Sequence, residues 1–408
     1  METKPAILII ATLDTKSEEC FYIRDRIEAS GCRALVMDTG TMNDGDFGAD
    51  VARDAVARAG GKSLEELRAV GDKILFVRNM MEGAAVMARK LYDEGRIQGV
   101  IGIGGAQGTD IGTRAMRELP FGVPKFMVST VASGRAIFGP YVDTKDIIMM
   151  HSVADIQGIN FLTRTVFDNA VAAVCGMVKK PAASAAASRP AVGMTMLGTT
   201  TPGAMRAHRI LFERGYDAVA FHQNGTGGIA MEDLIREGRF AGVLDIALHE
   251  IGDRVAGGMH GAIRDYRLVA AAETGVPLVV APGSVNYAVW GPGKTLPAEL
   301  LKRKYIIHNP QLTLVRISPE ELVRAAEIVA ERVSRCTGPV HFYMPLRGFS
   351  FPDREGGPHW EPETNELFIK TIRKKLDPRI PYDELDLHVN DPEFIDAAVG
   401  GLLAMLEK

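Results

Sequence analysis

Two kinds of chemistry are written into the loops of this sequence: capture of an anion by backbone amides, and proton transfer by a few polar side chains. The anion-binding pattern is clearest at Gly104, Gly105, Ala106, Gln107, Gly108 and Thr109, between the apolar run 100–103 and a helical pattern over 111–119. Thr109 or Asp110 is the expected N-cap. Glycines at such a turn let a backbone approach a ligand without obstruction by Cβ atoms, and the first free amides of the helix favour a phosphate. A tight strand-to-helix turn would need the same glycines. The spacing is neither GxGxxG, because Gln107 occupies its last place, nor a P-loop, because no Gly-Lys-Ser/Thr follows.

Other loops add charge and hydroxyls. Asp14, Thr15 and Lys16 follow the first apolar run and offer a carboxylate for ribose or magnesium, a hydroxyl, and an ammonium for phosphate. Ser129, Thr130, Ser133 and Gly134 close a later strand. In the second half Gly198, Thr199, Thr200, Thr201 and Ser284 hold comparable places, as would suit a second ligand or the other side of the same one. Asn224, Gly225, Thr226, Gly227 and Gly228 follow a strand and, with Ala230, fit G-x-G-x-x-A, with Asp245 at a following strand end to suit a ribose. His222, beside that loop, and Asp14 are the candidate proton-transfer groups. Arg347 with Ser350 and Asp353 reads as an anion clamp or a structural ion pair. His249, Glu250, Asp253 and His260 fit no zinc spacing and read as a mixed surface helix, so no metal site is expected. The segment 290–295 ends like a P-loop, but Pro292 removes an amide from the cradle and an exposed loop is expected there.

These loops must be held by strands. Apolar runs at 6–11, 34–37, 99–103, 125–128 and 147–150 alternate with helical patterns, as do runs at 191–197, 219–221, 242–246, 277–280, 339–344 and 385–389. Strands separated by helices predict parallel, doubly wound sheets with ligands at the strand carboxyl ends. The expected fold is therefore α/β, with two Rossmann-like doubly wound domains. The first domain spans 1–180 and carries a helical insertion at about 42–96; residues 181–190, small and bounded by prolines, form a linker; the second domain is 191–408. Gly122-Val-Pro against Gly275-Val-Pro, and Gly31-Cys-Arg-Ala against Gly215-Tyr-Asp-Ala, suggest an internal duplication.

Composition removes several classes. A net charge of −4 leaves no basic footprint for nucleic acid. Four cysteines without a CxxC pair indicate neither a disulfide framework nor a zinc cluster, and suit a reduced, cytoplasmic protein. The apolar stretch 159–178 is interrupted by Arg164, Asp168 and Asn169, so no membrane span is expected.

In combination, Ala6-Ile-Leu-Ile-Ile-Ala-Thr-Leu-Asp-Thr-Lys, Asp38-Thr-Gly, Gly102-Ile-Gly-Gly-Ala-Gln-Gly-Thr, Ser152-Val-Ala-Asp-Ile-Gln-Gly-Ile-Asn, Gly198-Thr-Thr-Thr-Pro, His222-Gln-Asn-Gly-Thr-Gly-Gly and Pro345-Leu-Arg-Gly resemble the Tm-one-like ATP-binding domain family. The resemblance covers nearly the whole chain. It implies two Rossmann-like subdomains, binding of ATP, with magnesium, and a homo-oligomer. The nucleotide contacts it suggests fall on Asp14 to Lys16, Gly104 to Thr109 and Ser129 to Gly134. ATP-dependent activation of a small polar metabolite, a nucleotide-stabilised interaction module without turnover, and an ATP-independent enzyme acting on a sugar phosphate or organic acid all remain open.

Overall fold

The run Ala6–Ala11 (β1) is apolar and buried at every position, which in a strand means that both faces are covered, as in a parallel sheet between helices. The computed structural model describes residues 4–42, 45, 47–133, 139–179, 189–261, 265 and 267–407. The chain divides into a first unit, 1–185, and a second, 186–408. Gly134 and most of the expected linker lie outside the described residues.

In the first unit, β1 pairs in parallel with Arg33–Asp38 (β2) and Gly99–Gly104 (β3), and Lys125–Ser129 (β4) and Ile148–His151 (β5) extend the sheet to the order β2-β1-β3-β4-β5. Alternation along β1 sends Ile7 and Ile9 to one core with Leu13–Ala29 (α1). Leu8 and Ile10 go to the other, with Arg53–Ala59 (α2), Leu64–Val70 (α3) and Lys73–Asp93 (α4). The last three helices fill the expected insertion between β2 and β3. Of these, α4 opens at Lys73 because the Asp72 side chain accepts the amides of Ile74 and Leu75 as an N-cap. Ala106–Glu118 (α5) follows β3, Gly139–Val142 (α6) follows β4, and Phe161–Lys179 (α7) packs beside α1. Among the described residues α7 is the one helix long and apolar enough to cross a membrane; it buries Val166, Phe167, Ala170, Val171 and Val174 in the first unit's core.

The second unit begins with Ala191–Met196 (β6), Thr201–Glu213 (α8), Asp217–His222 (β7), Gly227–Arg236 (α9), Gly242–Ala247 (β8), His249–Ala256 (α10), Ala270–Thr274 (α11) and Leu278–Gly283 (β9). Tyr287–Trp290 (β10), Tyr305–Asn309 (β11) and Leu312–Arg316 (β12) then form a small antiparallel sheet, which no sequence pattern announced. Pro319–Ser334 (α12), Val340–Pro345 (β13), Pro362–Lys375 (α13), Tyr382–Leu385 (β14) and Pro392–Leu406 (α14) complete the unit. The strand expected at 385–389 thus lies earlier, pairing with β13.

Its main sheet is parallel, in the order β14-β13-β9-β8-β6-β7. Read from β7, the order is second, first, third, fourth, then β13 and β14: the first unit's order extended by one strand, with β10 to β12 and α12 inserted after the fourth. This 2-1-3-4-5 order is the flavodoxin-type variant of the doubly wound fold, and it reverses between the first and third strands. The crevice is therefore flanked by the loops after β1 and β3 in the first unit, and by those after β6 and β8 in the second.

Candidate functional site

In the first unit the loop after β3 leads directly into α5, with Gly105 at the N-cap. Among the described residues, the amides of Ala106, Gln107 and Gly108 find no acceptor, whereas the amide of Thr109 closes on the Gly105 carbonyl at 2.8 Å. Gly104 is required by packing, since a Cβ there would lie 2.6 Å from the Gly108 Cα. Ala106 is exposed and Gly105 half-buried, so no apolar side chain plugs the turn. Gln107 Nε2 donates to Thr41 Oγ1 at 3.1 Å, tying this loop to the one after β2.

The neighbouring loops divide into ligand-facing and structural groups. Lys16 is half-buried and meets no carboxylate among the described residues. The Thr39 hydroxyl, at the end of β2, is buried without a partner. Asp14 is partly committed: its Oδ2 accepts the amides of Thr41 at 2.8 Å and Met42 at 2.7 Å, leaving Oδ1. This carboxylate therefore holds the loop after β2 through one oxygen, with the other clear of those amides. Thr15 bonds back to Thr12. The Thr109 and Ser129 hydroxyls are buried and bonded to each other at 2.6 Å, and Ser129 also accepts the Val131 amide, so both brace α5 on β4 rather than face a ligand. Thr130 is half-buried and Ser133 exposed.

In the second unit a cleft of about 660 Å³ lies beside the loop after β6 and the end of β7, roofed by the antiparallel sheet. Leu197, Val289, Leu312, Leu314 and Phe351 supply apolar walls, while Thr199, His222, His260 and Tyr287 supply polar atoms. Thr199 Oγ1 lies 2.7 Å from Ser284 Oγ and 2.8 Å from Tyr287 Oη, so Thr199 and Ser284, both anticipated, join a hydroxyl trio with an unanticipated tyrosine. Burial pushes the Tyr287 phenol up, and it stays protonated at neutral pH. Ser284 holds φ +56°, a strained conformation for a residue with a side chain. Gly198 lines the cleft, but the Thr200 and Thr201 hydroxyls bond back to Leu197 as local caps. His222 is exposed in the cleft wall.

The G-x-G-x-x-A loop has a different use from the one expected. Glu250 Oε1 accepts the amides of Gly225 at 2.9 Å and Gly228 at 3.3 Å, so the positive end of α9 already holds an anion. A Cβ on Gly228 would come within 1.9 Å of Glu250, and one on Gly227 within 1.9 Å of the His222 carbonyl; these glycines serve packing. Asn224 and Thr226 bond to each other beside it. Asp245 is not available to a ribose: it is buried, 2.9 Å from Arg267 and 2.8 Å from Thr195 Oγ1. Arg267 also meets Glu232 at 3.0 Å and Glu250 at 2.9 Å. Burial raises the carboxyls of both glutamates, and the three acids together hold the guanidinium charged.

Arg347 forms no clamp with Ser350 and Asp353. It is exposed and pairs with Asp386 at 2.5 Å, while Asp353 is buried against Asn365 and 3.7 Å from Arg316.

The helix carrying His249 is likewise no surface helix: His249 and Asp253 are fully buried. His249 Nε2 lies 3.1 Å from His260 Nδ1 and 3.5 Å from Asp253 Oδ2, and its Nδ1 faces the Ser284 carbonyl at 3.1 Å. A carbonyl only accepts, so Nδ1 carries the proton of the neutral ring. Burial lowers both imidazoles to about 4.

Two doubly wound units, each built on a mainly parallel sheet, define a two-domain α/β protein. The chain belongs to the Uncharacterised protein family (UPF0261): residues 5–183 match that family's N-terminal domain and 189–406 its C-terminal domain. A UPF0261 protein of Clostridium tetani is 39% identical over 98% of this chain and 99% of its own length. One from Rhizobium meliloti is 38% identical over 96% of this chain and 97% of its own. The ToMV resistance protein Tm-1(GCR237) of Solanum lycopersicum is 32% identical over 99% of this chain, which spans 56% of the tomato protein.

Proposed function

We propose that this chain binds ATP in the first unit, at the ends of β1, β2 and β3, and a small polar metabolite in the cleft of the second. The observation that carries the nucleotide reading is the open set of amides at Ala106, Gln107 and Gly108, at the positive end of α5, together with a lysine that lacks a carboxylate partner. Phosphate oxygens would take those amides and Lys16 would neutralise their charge. The orphaned Thr39 hydroxyl supplies a buried polar group that a ligand would satisfy. Asp14 Oδ1 is the remaining carboxylate atom for a magnesium ion carried by the phosphates. The resemblance of the loop sequences to the Tm-one-like ATP-binding domain family supports the same assignment.

Calorimetric titration of the full chain with magnesium ATP tests this. Saturable binding is expected, weakened roughly tenfold or more in Lys16→Gln, as loss of a charge-assisted contact implies. Absence of binding, or equal affinity in the variant, contradicts it. Steady phosphate release stimulated by a metabolite would indicate turnover; tight binding without release would indicate a regulatory module.

A second reading is favoured by the hydroxyl trio of the second unit: an ATP-independent enzyme on a sugar phosphate or organic acid, with His222 as its proton-transfer group. Mass spectrometry of the molecule that survives purification separates the two, since a retained sugar phosphate or acid, without ATP affinity, supports the second alone.

A further inference from the structure

We infer that His249, Asp253 and His260 form a site for one divalent first-row transition ion, with zinc as the reference case, opening through His260 onto the cleft of the second unit. One donor atom from each residue lies within 4.8 Å of the other two. The separations of 3.1 Å between the two imidazole nitrogens and 3.5 Å from His249 Nε2 to Asp253 Oδ2 bracket the spacing of about 3.3 Å that a tetrahedral ion with bonds of about 2.0–2.1 Å imposes on its donors. The third separation, between the Asp253 and His260 donors, is longer, though within 4.8 Å, so an ion would draw those two donors together by about 1 Å.

The surroundings are those of a ligand set. His249 and Asp253, four residues apart, share one face of α10. That helix lies so close to the Ser284–Val285 turn that a Cβ on Gly252 would be 2.1 Å from the Val285 carbonyl. The close approach gives His249 Nδ1–H its carbonyl acceptor, the outer-shell bond that fixes a metal-binding tautomer and aims Nε2 at the other two donors. Both oxygens of Asp253 are oriented by backbone amides, from Gly261 at 2.7 Å and Val289 at 2.6 Å. No lysine or arginine pairs with this buried carboxylate among the described residues, a deficit of positive charge that a divalent ion would meet.

Two imidazoles and one carboxylate leave coordination positions open, as in catalytic rather than structural zinc sites. The cleft beside His260 would bring an oxygen donor, the carbonyl or carboxylate of a small molecule, into such a position. This site is independent of the nucleotide reading of the first unit.

The test uses untagged full-length protein, stripped with a chelator and dialysed without nucleotide against zinc, then against cobalt(II). One zinc per chain by elemental analysis is expected, with intense visible cobalt bands of four- or five-coordinate geometry. His260→Ala should lower zinc affinity by more than about a hundredfold, beyond the cost of losing an outer-shell partner. Asp253→Asn should weaken it as well. Retention of the wild-type circular dichroism spectrum shows that a variant is folded; if His260→Ala fails this check, His260→Gln is read in its place. Substoichiometric zinc in the wild type, or zinc bound equally by the folded variants, would overturn the site and leave a plain His260-to-His249 hydrogen bond.

Discussion

The Glu250 carboxylate accepts the backbone amide of Gly225 at 2.9 Å, closing with the chain's own charge a helix N-terminus that glycine spacing alone would assign to a phosphate. The same carboxylate lies 2.9 Å from Arg267, which also serves Asp245 and Glu232. Three buried acids share one cation, so the cluster has anion to spare and burial raises the carboxyls of Glu250 and Glu232. The consequences of removing an acid and removing the base are therefore unequal.

Arg267→Met should cost the second unit about 3–5 kcal/mol, because three acids remain buried without their cation. Glu250→Gln keeps an oxygen for the Gly225 and Gly228 amides and should cost less than about 2 kcal/mol. Urea denaturation of both variants checks the order; a larger loss in Glu250→Gln would show that Glu250 is the keystone instead.

Ser129→Ala should destabilise the first unit by about 1–3 kcal/mol, since it leaves the buried Thr109 hydroxyl and the Val131 amide without their partner. Its affinity for ATP should stay close to that of the wild type. A large fall in affinity, with stability unchanged, would move Ser129 from the scaffold to the binding surface.

His359 is 0% exposed and its two ring nitrogens lack partners; burial, then the Arg316 charge, lowers it to about 4. The unfolded chain, with an ordinary imidazole near 6.5, binds more protons than the folded one between those values. The contribution of the neutral ring to stability is therefore full above about 6.5 and lost as the pH falls to about 4, by about 3 kcal/mol. Unfolding free energies of wild type and His359→Gln should converge toward the acid end of that window, and parallel curves would contradict the assignment.

The sequence displays the parallel strands because each is a short apolar run ended by glycine or polar residues, and burial on both faces demands that composition. It does not display β10, β11 and β12: β11 is mostly exposed, β10 is only four residues long, and β12 is interrupted by Thr313 and ends in Arg316. The open amides beside Gly105 and the Thr199 and Ser284 hydroxyls were visible as residue types at strand ends. What occupies an amide was not. Glu250 lies 25 residues beyond Gly225, and Asp386 lies 39 beyond Arg347. The four-residue spacing of His249 and Asp253 marked a shared helix face. The charged neighbours Glu250 and Arg254 made that face look solvated, because Arg267 and the amides of Gly261 and Val289, which allow the acids to be buried, come from outside the helix.

The central claim is that the amides opening α5 receive phosphate, and Ala106→Asp tests it most directly. An acidic side chain in the first turn favours the helix by about 0.3–1 kcal/mol, so the fold should hold, while its charge repels an anion at those amides. Calorimetry should find ATP affinity in Ala106→Asp reduced at least tenfold with the unfolding midpoint unchanged or raised; undiminished affinity would place the nucleotide elsewhere.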